Sequence, residues 1–142
     1  MHVPPQADLV TRGVPSVEAM PRDFTVVVWN VHKEAAAYDD ELPRLATPDL
    51  VLLQEGLGPR VGAPLAERGE AQHVVAFRFV RGGAMTGVTT WARAEVVKSQ
   101  PLRTEAREPL FGTPKSALVS TLALEGGGRL LVVNLHGINF RG

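Results

Sequence analysis

The stretch LVLLQE at residues 50–55 decides how this chain is read. Four consecutive apolar residues, Leu50 to Leu53, leave no polar side for water. The run therefore predicts a strand buried on both faces. It stops at Gln54-Glu55, before Gly56. A buried strand that turns polar at its last residues commonly delivers those residues to a site at the edge of the sheet.

Working outward, FTVVVW (24–29) predicts a second buried strand, ending at Asn30. A helical stretch is expected around residues 38–46, where Tyr38, Leu42 and Leu45 share a face and Pro43 fits only a first turn. Thr47-Pro48-Asp49 breaks the chain before LVLL. Residues 56–70 are rich in Gly and Pro and predict a loop with one short helix at most. HVVAFRFV (73–80), GVTTWAR (87–93) and EVVKSQ (95–100) predict strands, and 101–114 a polar loop. SALVSTLAL (116–124) and RLLVVNLH (129–136) flank Glu125-Gly126-Gly127-Gly128, which predicts a hairpin. Residues 1–22 carry four prolines and little periodicity, so they are expected to form an extended or disordered leader, with order starting at Phe24.

Composition narrows the function classes. The 142 residues are 44% hydrophobic, which excludes disorder throughout. Fifteen Lys+Arg balance fifteen Asp+Glu. Proteins that grip nucleic acid by electrostatics alone carry a basic excess, so phosphate recognition here is expected to be local. No cysteine is present, which excludes disulfides and thiolate metal sites. No apolar run approaches the roughly 20 residues that span a bilayer, and the cytoplasm is the expected location.

Three apolar strands end in residues able to do chemistry: Asn30, Glu55, and Asn134 with His136. A carboxylate such as Glu55 suits Mg²⁺, a hard cation that takes oxygen ligands and keeps several waters. Asn30 can offer an amide oxygen to a metal or an N–H to a phosphate. His136 can donate a proton to a phosphoryl oxygen. Lys33 and Lys115 can meet phosphate as point charges. Taken one at a time, each of these is also what a turn or a solvated strand end presents. His2, His32 and His73 have no ligand spacing, which speaks against zinc. Gly126-Gly127-Gly128 lacks the following Lys-Ser/Thr of a nucleotide-binding loop. Ser116 and Ser120 lack a nucleophile elbow.

In order along the chain, VVVWNVHK (26–33), DLVLLQE (49–55), MTGVTTWAR (85–93), PKSALVS (114–120) and LLVVNLHGINF (130–140) resemble the successive motifs of the endonuclease/exonuclease/phosphatase superfamily, in particular a deoxyribonuclease-like bacterial branch. The resemblance implies an α+β chain: the N-terminal half of a four-layer α/β sandwich, formed by residues 23–142. It implies hydrolysis of a phosphate ester, with a phosphodiester such as DNA among the substrates, using Mg²⁺ or Mn²⁺. Glu55 and Asn30 would sit at the metal, with Asn30, Glu55 and His136 as the catalytic set. Lys115 and Asn134 would contact substrate. The family's Gly-Asp-x-Asn and Asp-His motifs, which activate water, do not occur here. Turnover by this chain is therefore expected to be negligible, and a non-catalytic fragment or a phosphate- or partner-binding remnant is the alternative. Strands 26–29, 50–53 and 130–135 are expected in one sheet whose second face has too few helices to cover it, leaving a face for self-association.

Overall fold

A computed structural model describes residues 1–33, 41, 47–79 and 81–137. The expected helix around 38–46 lies, but for Glu41, outside them. Eight strands follow one another: β1 (Leu9–Gly13), β2 (Val26–Asn30), β3 (Leu50–Leu57), β4 (Glu70–Arg78), β5 (Met85–Ala92), β6 (Val96–Arg107), β7 (Pro114–Ala123) and β8 (Arg129–Leu135). They form a five-stranded sheet in the order β1-β4-β5-β3-β2 and a three-stranded sheet in the order β6-β7-β8. Among these strands β2 and β3 pair in parallel and the other ladders run antiparallel.

This corrects the expected α+β four-layer sandwich. Among the described residues the fold is two β-sheets, and the helix between β3 and β4 is a single turn, α1 (Ala63–Ala66). The reason is local. Between β3 and β4 the chain runs through Gly58, Pro59, Gly62 and Pro64, residues that do not sustain a helix interior. α1 starts at Gly62 with no side-chain cap. That segment still covers the sheet: Val61 and Leu65 pack with Val51, Leu53, Ala71 and Trp91. The Trp91 indole N–H donates to the Leu65 carbonyl at 3.0 Å.

The opposite face of the five-stranded sheet meets the three-stranded one. Leu50 and Ala92 pack with Met20, Leu122 and Val132, and Val74 and Val88 pack with Leu118. β3 is thus buried on both faces, with Val51 and Leu53 on one side and Leu50 on the other. β2 is not. It is the edge strand of its sheet, and Val26 and Val28 are exposed.

Other expectations shift for identifiable reasons. β6 runs on to Arg107, because pairing with β7 carries it through the polar stretch read as a loop. Residues 1–22 are not outside the fold: β1 pairs with β4, and Met20 is fully buried. β1 is held by its backbone ladder while most of its side chains face water, so hydrophobic periodicity could not reveal it. The Glu125–Gly128 turn does close the β7–β8 hairpin, with Gly126, Gly127 and Gly128 all at positive φ, where glycine alone is free of strain.

Strand 130–135 lies in a different sheet from 26–29 and 50–53, so the uncovered face is not the one expected. It is the outer face of β8, where Leu131, Val133 and Leu135 are 64%, 54% and 59% exposed. β8 also ends the three-stranded sheet. An apolar row on an edge strand invites pairing with another chain. The chain is therefore expected to self-associate at about 100 µM, and Val133→Lys to shift it toward monomer. Light scattering after size-exclusion chromatography measures this; a monodisperse monomer for the unaltered chain would refute it.

Candidate functional site

The C-terminal ends of β2, β3, β6 and β8 and the N-terminal end of β7 reach the same edge of the two-sheet stack. The site starts from the backbone. Beyond β2 the chain continues to pair: the Val31 N–H donates to the Gln54 carbonyl and the Lys33 N–H to the Glu55 carbonyl, both at 3.0 Å. Val31 is buried and anchors the turn in the core. The Asn30 side-chain oxygen accepts from the His32 backbone N–H at 3.1 Å, closing the turn.

Three non-glycine residues among the described ones have positive φ, and all are here: His32 at 49°, Lys33 at 65° and Glu55 at 56°. At Glu55 the β3–β5 ladder slips by one residue, between Gln54 and Gly56. Such a bulge re-aims a side chain out of the strand's alternation. Left-handed backbone at a non-glycine residue costs of order 1–3 kcal/mol and tends to collect at functional sites.

The Glu55 carboxylate is the hub. Lys33 Nζ lies 2.9 Å from Oε2. Asn30 Nδ2 donates to Oε1 at 3.4 Å, and His136 Nε2 is 3.3 Å from the same oxygen. His136 follows the end of β8, and its Nε2 is also 3.4 Å from Lys115 Nζ. Lys115, near the start of β7, pairs with Glu108 Oε1 at 2.8 Å. Glu108 just follows β6 and also accepts from the Thr113 hydroxyl. The result is a continuous chain of groups: Lys33, Glu55, His136, Lys115, Glu108.

Burial works against the charge on Glu55. The hydrogen bond and charge of Lys33, with help from Asn30 and His136, outweigh it and hold the carboxyl below its ordinary value. His136 is also lowered, by burial first and the Lys115 ammonium second, against the pull of Glu55 and Glu108. It is therefore neutral at pH 7. Lys115 and then Thr113 hold Glu108 low through hydrogen bonds. Nε2 of His136 faces a carboxylate acceptor and an ammonium donor, and one nitrogen can satisfy only one of them. An anion entering between Lys115 and His136 would accept from both.

Of the residues read from sequence, the structure brings Asn30, Glu55, His136 and Lys115 together. Asn30 turns its amide oxygen to the His32 backbone N–H and its own N–H to Glu55, so it orients the carboxylate. Asn134, expected at substrate, lies beneath the site, 1% exposed. Its amide N–H groups donate to the Thr89 carbonyl at 2.9 Å and the Thr90 hydroxyl at 3.2 Å, and its oxygen accepts from Gln54 Nε2 at 2.8 Å. Asn134 ties the two sheets together. Glu108 was missed in the sequence, inside a stretch read as loop. Its only signal is a lone carboxylate seven residues before Lys115.

A cavity of about 370 Å³ opens beside these groups. No cluster of three or more His, Cys, Asp or Glu able to hold a metal occurs among the described residues. Glu55 is a single carboxylate with oxygen donors of the kind Mg²⁺ takes, and Mg²⁺ is usually held by one or two carboxylates together with substrate phosphate. The charges make the same point. Two lysines cancel two carboxylates around a neutral imidazole, so the site has no net positive charge for a phosphate. A divalent cation on Glu55 would supply it.

The protein is thus a two-sheet β fold with a charged constellation at one edge of the stack. The chain is similar to a UPF0294 protein of Yersinia pseudotuberculosis, 36% identical over 143 residues that take in 96% of this chain and 54% of that protein. A UPF0294 protein of Klebsiella pneumoniae is 34% identical over 120 residues, 81% of this chain and 43% of its own. One from Photorhabdus laumondii is 32% identical over 123 residues, 83% of this chain and 45% of its own. The chain spans about half the length of the curated relatives it matches. No family model matches the chain, and no solved structure matches it. Among the described residues no helix is long and apolar enough to cross a membrane.

Proposed function

We propose that this chain carries the metal- and phosphate-binding groups of a phosphate-ester hydrolase, with phosphodiesters among its substrates. The observation that supports it is the convergence on Glu55 of Asn30, Lys33 and His136 from separate segments, on backbone held at positive φ. The motif order resembling the endonuclease/exonuclease/phosphatase superfamily agrees with this reading. The reading rests on the site and requires no four-layer architecture.

Glu55 would hold Mg²⁺. Bound there, the ion neutralises charge developing on a phosphoryl oxygen. Asn30 fixes the carboxylate's rotamer by its N–H. Lys33 keeps Glu55 ionised until a cation replaces it. Lys115, held by Glu108, presents an ammonium to the phosphate. His136, neutral at pH 7, presents an N–H to a non-bridging oxygen once released from Glu55. Donors aimed at such an oxygen are worth about 3 kcal/mol at a transition state.

Phosphate binding is what these residues assign, so binding is what the test reads. Inorganic phosphate, titrated by calorimetry, is expected to bind at least about tenfold more tightly with Mg²⁺ than without. Lys115→Ala is expected to remove most of the binding in both conditions. Phosphate affinity indifferent to both the metal and Lys115 would sink the reading.

A further inference from the structure

The charged groups do not line the cavity alone. Ala76, Phe77, Phe79, Phe111 and Pro114 give its wall an apolar stretch, with Thr86 and Thr113 also in the lining. Phe77 and Phe79 pack edge to face with their rings 5.3 Å apart. Two residues apart, they lie on one side of the chain, just after the β4–β5 ladder slips between Val75 and Phe77. That slip sits beside Gly87, where even a Cβ would come within 1.9 Å of the Val74 carbonyl oxygen. On the opposite wall, Phe111 is 75% exposed at the tip of the turn whose base is Glu108. The turn is closed by the Gly112 N–H on the Glu108 carbonyl at 2.9 Å and the Glu108 N–H on the Thr113 carbonyl at 3.0 Å. One short turn therefore carries both a charged member of the site and an aromatic ring at its mouth.

The size of the cavity limits what enters. About 370 Å³ is at the small end of ligand pockets, and roughly two and a half times the ~150 Å³ cavity that holds benzene. It admits one or two rings beside a phosphate. The lysines lining it are Lys33 and Lys115, and each already pairs with a carboxylate. A nucleic-acid duplex binds through many unneutralised lysines and arginines spread along its backbone.

We infer that the site takes a compact phosphate ester whose alcohol part is an apolar ring, seated against Phe77, Phe79 and Phe111, and not a nucleic-acid duplex. This rests on the phosphate-binding reading above. Phosphate sits at Lys115 and His136, and the ring extends away from Glu55 along the aromatic wall. Ring burial strengthens binding, while the charged end fixes orientation.

Calorimetry on the 142-residue chain with Mg²⁺, using inorganic phosphate, phenyl phosphate and a short DNA duplex, tests it. Phenyl phosphate is expected to bind about tenfold or more tighter than phosphate, and tighter than the duplex. The double variant Phe79→Ser/Phe111→Ser changes exposed rings, so the fold should survive. It is expected to lose most of that preference while phosphate affinity stays within about twofold. Equal affinity for phosphate and phenyl phosphate, a preference that survives in the double variant, or tighter duplex binding would each overturn the inference while phosphate binding stood. If neither phosphate nor phenyl phosphate bound, the functional reading itself would fall, and the inference with it.

Discussion

Glu55→Gln is expected to leave the chain folded and to weaken Mg²⁺ binding by roughly 100-fold, since even partners that only orient a metal ligand are commonly worth 10–100-fold. The change keeps the side chain's volume and removes its charge. Lys33 then loses its partner, but at 40% exposure its ammonium can turn to water. Metal titration of both proteins, by calorimetry or with a fluorescent competitor, reads the effect; equal affinities would remove Glu55 from the metal site. The backbone offers a second measurement at the same residue. At φ 56° a glycine is unstrained and an alanine is not. Glu55→Gly is therefore expected to be more stable than Glu55→Ala by about 1 kcal/mol, the reverse of the usual order within a strand. Urea denaturation of the pair decides it. Glycine as the less stable of the two would mean that the bulge does not hold Glu55 in left-handed backbone.

Mild acid is expected to weaken the fold through His73. Its ring is fully buried in β4. The Thr89 hydroxyl donates to the Gly58 carbonyl at 3.0 Å, so the 2.8 Å contact between His73 Nδ1 and that hydroxyl is a bond from the ring N–H. Nε2 is left bare, with no partner among the described residues. Burial, with a smaller push from Arg78, lowers the imidazole from 6.5 to about 4. The sign follows from proton counting. Between pH 6.5 and 4 the unfolded chain takes up a proton that the folded chain refuses. Stability is thus complete above about 6.5 and falls as the pH drops toward 4. A gap of about 2.5 pH units, at about 1.4 kcal/mol each, amounts to about 3 kcal/mol lost by pH 4. His136 is lowered too and adds in the same direction. Urea midpoints at pH 7, 6 and 5 are expected to fall for the unaltered chain. In His73→Leu the fall should be much shallower, because the bare buried nitrogen is gone. Parallel slopes in the two proteins would remove His73 as the cause.

Burial patterns explain which parts of this protein could be read in advance. LVLL at 50–53 was legible because a strand packed on both faces has no polar position, and β3 is buried on both sides. The glycine turn before β8 was legible because backbone at positive φ selects for glycine. Asn30, Glu55 and His136 were legible because each interrupts or follows an apolar run. β1 was not, since a strand held by its backbone ladder with its side chains in water leaves no periodic trace. Nor was the exposure of Val28, whose apolar identity is the same on an edge strand as in a sheet centre.

The sequence by itself determined the apolar strands and the chemical character of their ends, because both are set by neighbours along the chain. Only the tertiary structure decided that there are two sheets and no helical layer over either among the described residues, since that depends on which faces find each other. Only it could separate Asn134 from His136. Two residues apart on the same side of β8, the first is spent on carbonyls between the sheets and the second passes beyond them to Glu55. Only it brought Glu108 to Lys115 and gave the site its balanced charges. Ion pairs between β2, β3, β6, β7 and β8 are distances through space, and no spacing along the chain encodes them.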